Sequence, residues 1–398
     1  MRVRYLVPAL LLLAAGGVAV WLLLGDRGPD LPPWTPDQQA AADASNRFAF
    51  DLYAKLRPQP GNLFVNPTSI HANLTAAADR AAGTTRAELL AALHAPPTGA
   101  VGDLAAYYSA PRAGFDLKMA SAAWGEKATP WKADFLARTP HFRTADFRGN
   151  AAGERDAINR WVSDATGGRI PDLLPPAAVG PDTRFVAADA VFFRAAWKVK
   201  FAPPNTRPRP FTRADGTTVE TPMMAFDRDY FLRATRGVGY EAVELPYRGD
   251  ELSFVAILPE KPDGLPELEA KLSAETVAGW VAQLRPTKIQ VVLPKFRHEW
   301  RPAPDGDLSP TLRRLGIRAA FDPAAADFSP MTADPLFLSG VRHAAVIEVN
   351  EEGTTAAAAT SDGSKSAAGL FVADHPFLYL IRDTKRGTIL FLGRFDTP

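Results

Sequence analysis

The sequence contains no cysteine, and its charges nearly cancel. Lysine and arginine number 45 against 44 for aspartate and glutamate over 398 residues, with no basic cluster. The absence of cysteine excludes disulfide bonds, a thiol nucleophile and a lipoprotein anchor. The balanced charge gives nucleic acid or a heparin-like polyanion no electrostatic attraction. We therefore expect no nucleic-acid partner and a fold that disulfides do not stabilise.

The sequence patterns of common catalytic sites are also absent. No two histidines have the i, i+4 spacing of a helical metal pair, and no His-Glu-x-x-His motif occurs. The chain has no Gly-x-Ser-x-Gly elbow and no phosphate-binding Gly-rich Lys loop. We therefore expect that the chain is not an enzyme and has no catalytic residues, no metal site and no cofactor. The histidines are His71, His94, His141, His298, His343 and His375.

The N-terminus carries two arginines, Arg2 and Arg4, followed by a largely apolar run from Tyr5 to Leu24. Twenty residues at about 1.5 Å each span a hydrocarbon core of ~30 Å. A cleaved secretory signal usually has a shorter apolar region and a small-residue cleavage site, which does not follow Leu24. We expect a signal-anchor over residues 1–24 in preference to a cleaved signal peptide, with residues 5–24 in the membrane if uncleaved. Both alternatives place the rest of the chain outside the cytoplasm, extracellular or on the cell surface.

Residues 25–43 are rich in proline and are expected to form a tether. No Pro/Gly/Ser-rich break and no repeat divides the remainder, which predicts one domain over residues 44–398 and a monomer. The Ala-, Arg- and Pro-rich composition is typical of a GC-rich bacterial gene. The prolines of the expected tether are Pro29, Pro32, Pro33 and Pro36.

Helical patterns come first and strand patterns later. Apolar spacing predicts helices over Asn46–Leu56 and Ala152–Asp164. A buried-strand pattern covers Phe185–Phe193. Two hairpins are predicted, one from Tyr240 to Pro259 and one from Phe377 to Leu392. This order favours an α+β domain.

One segment near the C-terminus has an unusual composition. It follows the apolar run Ala344–Val349 and, after Gly353, contains only small side chains and no proline. Surface loops normally carry turn-forming residues, and core strands carry bulky ones. Such a segment could enter a narrow slot between two strands without displacing their side chains. Its residues are Glu351, Glu352, Gly353, Thr354, Thr355, Ala356, Ala357, Ala358, Ala359 and Thr360, and we call them the hinge.

The hinge resembles the proximal hinge of the serpins, a family of serine protease inhibitors, and further motifs match that family in order over some 350 residues. The resemblance implies a serpin fold, with about nine helices around three mostly antiparallel β-sheets and an exposed reactive-centre loop. It also implies a suicide inhibitor whose cleaved loop inserts into the central sheet, releasing stored strain. The matching motifs are Asn66-Pro67-Thr68-Ser69-Ile70, Gly83-Thr84-Thr85, Ile158-Asn159-Arg160-Trp161-Val162, Gly168-Arg169-Ile170, Phe192-Phe193 with Trp197, Glu244-Leu245-Pro246-Tyr247, Leu293-Pro294-Lys295-Phe296, Leu315-Gly316-Ile317, Asp327-Phe328-Ser329 and His375-Pro376-Phe377.

Two clusters follow from the resemblance. The gate consists of Trp197 and Lys295, which with Glu351 are expected at the top of the sheet, where the loop would insert. The latch is expected in mid-sheet, where strands must part, and consists of Ser69, Asp189 and His343.

The latch departs from the family pattern at two positions, because Asp189 replaces the usual Asn and Asn66 replaces the first Ser. An ionised aspartate accepts hydrogen bonds but cannot donate them. Beside His343, it is expected to make sheet opening depend on pH.

The reactive bond has two candidates. Counting seventeen residues from Glu351, as the family does, gives Ala367-Ala368, whereas counting back from Pro376 gives Lys365-Ser366. We favour the forward count, because the inserted length must span the sheet. Ala367 suits elastase- or subtilisin-like serine proteases with a small S1 pocket, and Lys365 suits trypsin-like ones.

The far half of the loop is polar where most inhibitory members are apolar. Alternate residues of a strand share a face, so Thr354, Ala356, Ala358 and Thr360 would point the same way, and Asp362 with them. The resemblance implies that this face is buried under the sheet. Burying an unpaired carboxylate costs several kcal/mol. Gly363 adds a further cost, because glycine loses more conformational entropy than other residues when it is fixed in a strand. We expect an inhibitor with a raised stoichiometry of inhibition. The alternative is a non-inhibitory serpin-fold binding or scaffold protein that is cleaved as a substrate.

Overall fold

The computed structural model describes residues 34–95, 100–110, 114–139, 142–353 and 369–398. Within those ranges the chain forms nine α-helices and fifteen strands. The helices are α1 (Pro36–Leu56), α2 (Pro67–Ala78), α3 (Gly83–Ala92), α4 (Ala100–Ser109), α5 (Ala133–Ala137), α6 (Phe147–Ala165), α7 (Leu265–Ala270), α8 (Ala274–Gln283) and α9 (Ser309–Arg314).

The strands join into two hydrogen-bonded sheets. Their bounds are β1 (Leu63–Val65), β2 (Phe115–Glu126), β3 (Phe142–Ala145), β4 (Phe185–Ala195), β5 (Arg207–Thr212), β6 (Thr218–Ala225), β7 (Tyr230–Gly237), β8 (Tyr240–Pro246), β9 (Leu252–Pro259), β10 (Arg285–Pro294), β11 (Phe296–Trp300), β12 (Gly340–Val349), β13 (Gly369–Val372), β14 (Phe377–Asp383) and β15 (Ile389–Phe395).

The larger sheet has ten strands in the order β1-β15-β14-β9-β8-β7-β10-β6-β5, with β13 paired to β10. Strand β10 pairs with β7 at one end and with β6 at the other. The resemblance implies three sheets, but the described residues form two. Two of the expected sheets are one continuous sheet here, because β10 pairs with strands of both. The expected α+β class is confirmed.

The smaller sheet has the order β11-β12-β4-β2-β3. Its central pair, β4 and β12, runs parallel, with residues 340–346 opposite residues 186–192. Strand β12 ends at Val349, and only Asn350 separates it from the hinge. This pair therefore brings the mid-sheet and hinge residues into one region.

The first helix is longer than its apolar spacing predicts. It begins at Pro36 rather than Asn46, because Thr35 and Gln38 form a capping box and proline is tolerated in the first turn. Pro36 thus lies in a helix, although it was expected in a tether. Phe48 and Leu52 are buried as expected.

Helix α6 also extends further than predicted, from Phe147 to Ala165. It packs Ile158 and Val162 into a core cluster on the smaller sheet. Trp161 lies at the edge of this cluster and contacts Trp124 edge-on, with ring centroids 5.1 Å apart. The helix therefore covers the face of the sheet that carries alternate residues of β2 and β4.

Among the described residues, none of the helices combines the length and the apolar character that crossing a membrane requires. The apolar run 5–24 lies outside the described residues.

Candidate functional site

The side chain of Trp197 holds the start of the hinge. It is fully buried and stacks on Tyr247, with centroids 4.7 Å apart and planes 6° apart. Its Nε1 donates to the Asn350 carbonyl (2.9 Å), and its backbone N–H donates to the Glu352 carbonyl (3.1 Å). The indole therefore fixes the backbone at the start of the hinge.

An ion pair ties the hinge to the end of β10. Lys295 Nζ lies 3.0 Å from Glu351 Oε2, and Thr206 Oγ1 donates to Glu351 Oε1 at 2.7 Å. Burial acts to raise the pKa of the Glu351 carboxyl, but hydrogen bonds from Thr206, the backbone and Lys295 outweigh it and lower this pKa. Because the lysine side chain is 47% exposed, the ion pair itself contributes at most about 1 kcal/mol.

The segment between β4 and β5 makes further contacts with the hinge that the sequence did not reveal. The Phe201 N–H donates to the Glu351 carbonyl (2.9 Å), and Lys200 Nζ lies 3.0 Å from Glu352 Oε2. This segment is irregular apart from a short 3₁₀ turn, so no periodic pattern marks its contact residues.

Gly353 closes the described part of the hinge against the end of β4. Its φ of +124° suits glycine only, and a Cβ there would overlap the Ala195 carbonyl oxygen and the Trp197 amide nitrogen. The residue bridges to Ala196. Position 353 therefore requires glycine, because the hinge backbone packs closely against the backbone of residues 195–197.

In mid-sheet, the Asp189 carboxylate accepts four hydrogen bonds. Ser69 Oγ (2.6 Å) and His343 Nδ1 (2.8 Å) donate to Oδ2. Ser121 Oγ (2.5 Å) and Asn73 Nδ2 (3.1 Å) donate to Oδ1. The carboxylate only accepts, which assigns the Nδ1 proton to the histidine. The structure thus brings the three latch residues together and adds two donors to them.

Strand register explains why these groups meet. In the ladders, Asp189 lies directly opposite His343 on β12 and Ser121 on β2. Ser69 and Asn73 lie four residues apart on α2, so they share one helix face. This spacing could have identified Asn73 from the sequence. Ser121 could not be placed, because β2 was not predicted.

The latch residues are buried, and polar atoms in and beside the latch lack a partner among the described residues. Asp189 is 2% exposed and His343 is fully buried. Asn66 caps α2 by accepting from the Ser69 N–H (2.7 Å), but its Nδ2 makes no hydrogen bond there, and neither does His343 Nε2. Because the site is buried, a rearrangement that leaves a further donor without an acceptor costs about 1–3 kcal/mol for that donor.

Several predicted site residues lie outside the described residues. They are the hinge residues from Thr354 to Thr360, both candidate bonds (Ala367-Ala368 and Lys365-Ser366), and Asp362 and Gly363.

Comparison with known proteins identifies the architecture. The chain matches the family model described as Serpin (serine protease inhibitor) over residues 43–398. It is similar to the leukocyte elastase inhibitor of Bos taurus, with 35% identity over 376 residues that cover 89% of this chain and 98% of the relative.

Solved structures of the same family are similar to this chain. Uncleaved ovalbumin superposes with a TM-score of 0.83 and 26% identity, covering 90% of this chain and 100% of that one. Human thyroxine-binding globulin does so with a TM-score of 0.81 and 26% identity, covering 91% and 99%. These matches confirm the expected serpin fold, and the relatives named as inhibitors show that the chain is not a catalytic enzyme. The chain belongs to the serpin family.

Proposed function

We propose that this chain inhibits serine proteases outside the cytoplasm as a suicide substrate. The protease cleaves the reactive loop, and residues from about Thr354 then insert between β4 and β12. The observation that carries this proposal is the parallel pairing of β4 with β12, which runs directly into the hinge. The similarity of the chain to the leukocyte elastase inhibitor supports protease inhibition in general.

The geometry supports insertion at this pair. A chain that leaves the end of β12, reverses at the hinge and returns between the two strands would run antiparallel to both. Each parallel pairing lost would be replaced by an antiparallel one, which is slightly more stable per residue. Residues 354–367 would extend over about 46 Å at ~3.3 Å each, whereas the eleven residues of β4 span about 36 Å. The cleaved loop is therefore long enough to follow β4 along its whole length.

Two neighbouring substitutions test insertion itself. Ala358→Arg puts a charge on the face expected to be buried, whereas Ala357→Arg puts it on the opposite face. We expect the first variant to be cleaved without forming an SDS-stable complex with its protease, and the second to form the complex as the parent does. Equal behaviour of the two variants would contradict insertion in this register.

The reactive bond is tested with elastase, subtilisin and trypsin. A covalent complex on a denaturing gel shows trapping, and the mass of the released C-terminal peptide gives the bond. Cleavage between Ala367 and Ala368 releases residues 368–398, and cleavage between Lys365 and Ser366 releases residues 366–398. We expect the first peptide, with a small-S1 protease.

The second candidate function is a serpin-fold binding or scaffold protein that proteases cut as a substrate. Asp362 and Gly363 favour it, because a buried carboxylate and a glycine would slow insertion beyond Thr360. Thyroxine-binding globulin, by its name, shows that a similar fold can serve as a binding protein.

The stoichiometry of inhibition distinguishes the two functions. We expect a value above one that Asp362→Val lowers, since the valine removes the buried charge. A value near one that Asp362→Val leaves unchanged would refute this role of Asp362. Complete cleavage with no complex in either protein would favour the binding function.

Residues 5–24 would deliver the inhibitor to the cell surface as an uncleaved anchor, and a bacterial origin remains a prediction from composition. Membrane fractionation tests the anchor. Retention in the membrane after carbonate washing, with an intact N-terminus, is expected; a mature N-terminus beyond residue 24 would show a cleaved signal instead.

A further inference from the structure

A cavity of about 590 Å³ lies against the smaller sheet, lined by residues of α2, α4 and α5 and of strands β2 and β4. This volume falls in the range of small-molecule sites, about 300–1,000 Å³. Much of its described lining is apolar and includes Met119, Phe135, Phe142 and Leu338. The cavity therefore suits the apolar part of a small ligand.

Two arginines line the same cavity. Arg80 Nε donates to Thr139 Oγ1 (3.2 Å), which holds its guanidinium at the end of α5 next to Arg138. Burial lowers the pKa of Arg80; Asp79 opposes this effect and the charge of Arg138 adds to it. Among the described residues, no carboxylate oxygen lies within 4.0 Å of either guanidinium. Two neighbouring cations without a close counter-ion favour an anionic group.

The same cavity also reaches the latch. Ser69, Asn73, Ser121 and Asp189 itself line it, and the first three donate hydrogen bonds to the Asp189 carboxylate. The Asp189 carboxylate repels a second anion, which sets the direction of a bound amphiphile. Its anionic group belongs at the arginines, and its apolar tail belongs between them and the latch.

We propose that this cavity binds a small amphipathic carboxylate, with its anionic group at Arg80 and Arg138 and its tail against Met119, Phe135 and Phe142. A ligand there packs against three of the side chains that hold Asp189. Binding therefore stabilises the closed sheet, in which those side chains have the observed positions. If the proposed function holds, binding also slows loop insertion; that consequence alone rests on the proposed function.

Calorimetric titration with laurate tests the binding, with dodecanol and dodecyltrimethylammonium as neutral and cationic probes of equal tail length. We expect laurate to bind and to raise the melting temperature, and the two other probes to bind at least tenfold more weakly. Arg138→Gln should weaken laurate binding about tenfold, as the loss of one charge-assisted contact does. Arg207→Gln, an exposed arginine on β5 of the other sheet, is the matched control and should bind as the parent does.

A second variant tests the location without touching the charge. Ala77 lines the cavity from α2, so Ala77→Leu fills part of it and should also weaken binding while both arginines remain. The melting temperature without ligand checks that each variant is folded. The proposal is overturned if laurate does not bind, if the cationic probe binds equally well, or if neither Arg138→Gln nor Ala77→Leu weakens binding.

The effect on inhibition is measured separately, as the rate of complex formation with and without laurate. Binding with no change in that rate would overturn only the coupling to insertion. Absence of any complex without ligand would overturn the proposed function and leave the binding result unaffected.

Discussion

Replacing Asp189 with alanine removes a carboxylate that four side chains share. Without it, the hydroxyl of Ser69 can turn towards the Asn66 carbonyl, which lies 3.3 Å away. His343 is fully buried, and its other ring nitrogen has no partner among the described residues. Three donors then lose their acceptor: the buried His343, at about 1–3 kcal/mol, and the half-buried Ser121 and Asn73, at about 1–1.5 kcal/mol each. The expected loss of unfolding free energy is therefore about 3–6 kcal/mol.

The loss converts into a measurable shift in melting temperature. Globular proteins gain about 2.1 cal/mol/K of entropy per residue on unfolding, which is about 0.75 kcal/mol/K for a domain of residues 43–398. Asp189→Ala should therefore melt about 4–8 °C below the parent. Asp189→Asn keeps an acceptor, and its NH₂ can donate to Ser69 and to a neutral His343 after the hydroxyl and the ring proton rearrange. We expect it to lose less than about 2 kcal/mol, or under ~3 °C.

Scanning calorimetry of the three proteins at neutral pH measures both shifts. The reasoning is refuted if Asp189→Ala melts within 2 °C of the parent, or if Asp189→Asn falls as far as Asp189→Ala. The same pair tests the expected pH dependence of sheet opening. A rate of inhibition and an unfolding midpoint that are flat from about pH 5 to 8, and are unaffected by Asp189→Asn, would refute it.

Two further predictions concern two separate buried histidines and the hinge glycine. Burial lowers the pKa of His71 and of His298 to about 4, against about 6.5 when unfolded. Between these values the unfolded state binds more protons, so the stabilisation, about 3 kcal/mol per histidine, is complete above pH 6.5 and is lost as the pH falls towards 4. His298→Gln should flatten the melting temperature between pH 7 and 4.5, and an unchanged slope would contradict this. Gly353→Ala should lower the melting temperature by about 2–4 °C, since strain there costs about 1–3 kcal/mol and a Cβ would overlap backbone atoms. Gly216→Ala, with a similar sign of φ but open space around it, should cost less; an equal loss would rule out the overlap.

The sequence predicted elements whose signals are local. Apolar spacing identified the C-terminal half of α1, and alternation with short turns identified the two hairpins that became β8-β9 and β14-β15. The start of α1 was missed because Pro36 was interpreted as a tether residue. Strand β2 was missed because its small alanines, such as Ala120 and Ala122, lack the β-branched character that usually marks a strand.

The site was predictable only where a motif marked it. Resemblance located Trp197, Lys295 and the latch, but the parallel contact of β4 with β12 joins residues about 150 positions apart and leaves no local pattern. Thr206 and Lys200 contact the hinge from an irregular segment, where neither period 2 nor period 3.6 applies. Their positions follow from tertiary structure and could not be obtained from spacing alone.

The gate and the latch lie at two different positions along the pair β4 and β12: the latch within the ladder and the gate beyond its C-terminal end. Asp189 and His343 face each other within the ladder, whereas Trp197 follows the end of β4 and Glu351 follows the end of β12. The ladder residues between the latch and the gate include alanines at 190, 344 and 345, which are fully buried and make no side-chain hydrogen bonds. Separation of the strands there breaks no side-chain hydrogen bond; it breaks backbone pairs, which an inserted segment would replace, and apolar contacts of these alanines with the core clusters. The polar contacts at the gate and the latch have no such replacement, so they should set the barrier to opening. Substitutions in the gate or the latch should therefore change the rate of insertion more than equally buried alanine positions between them.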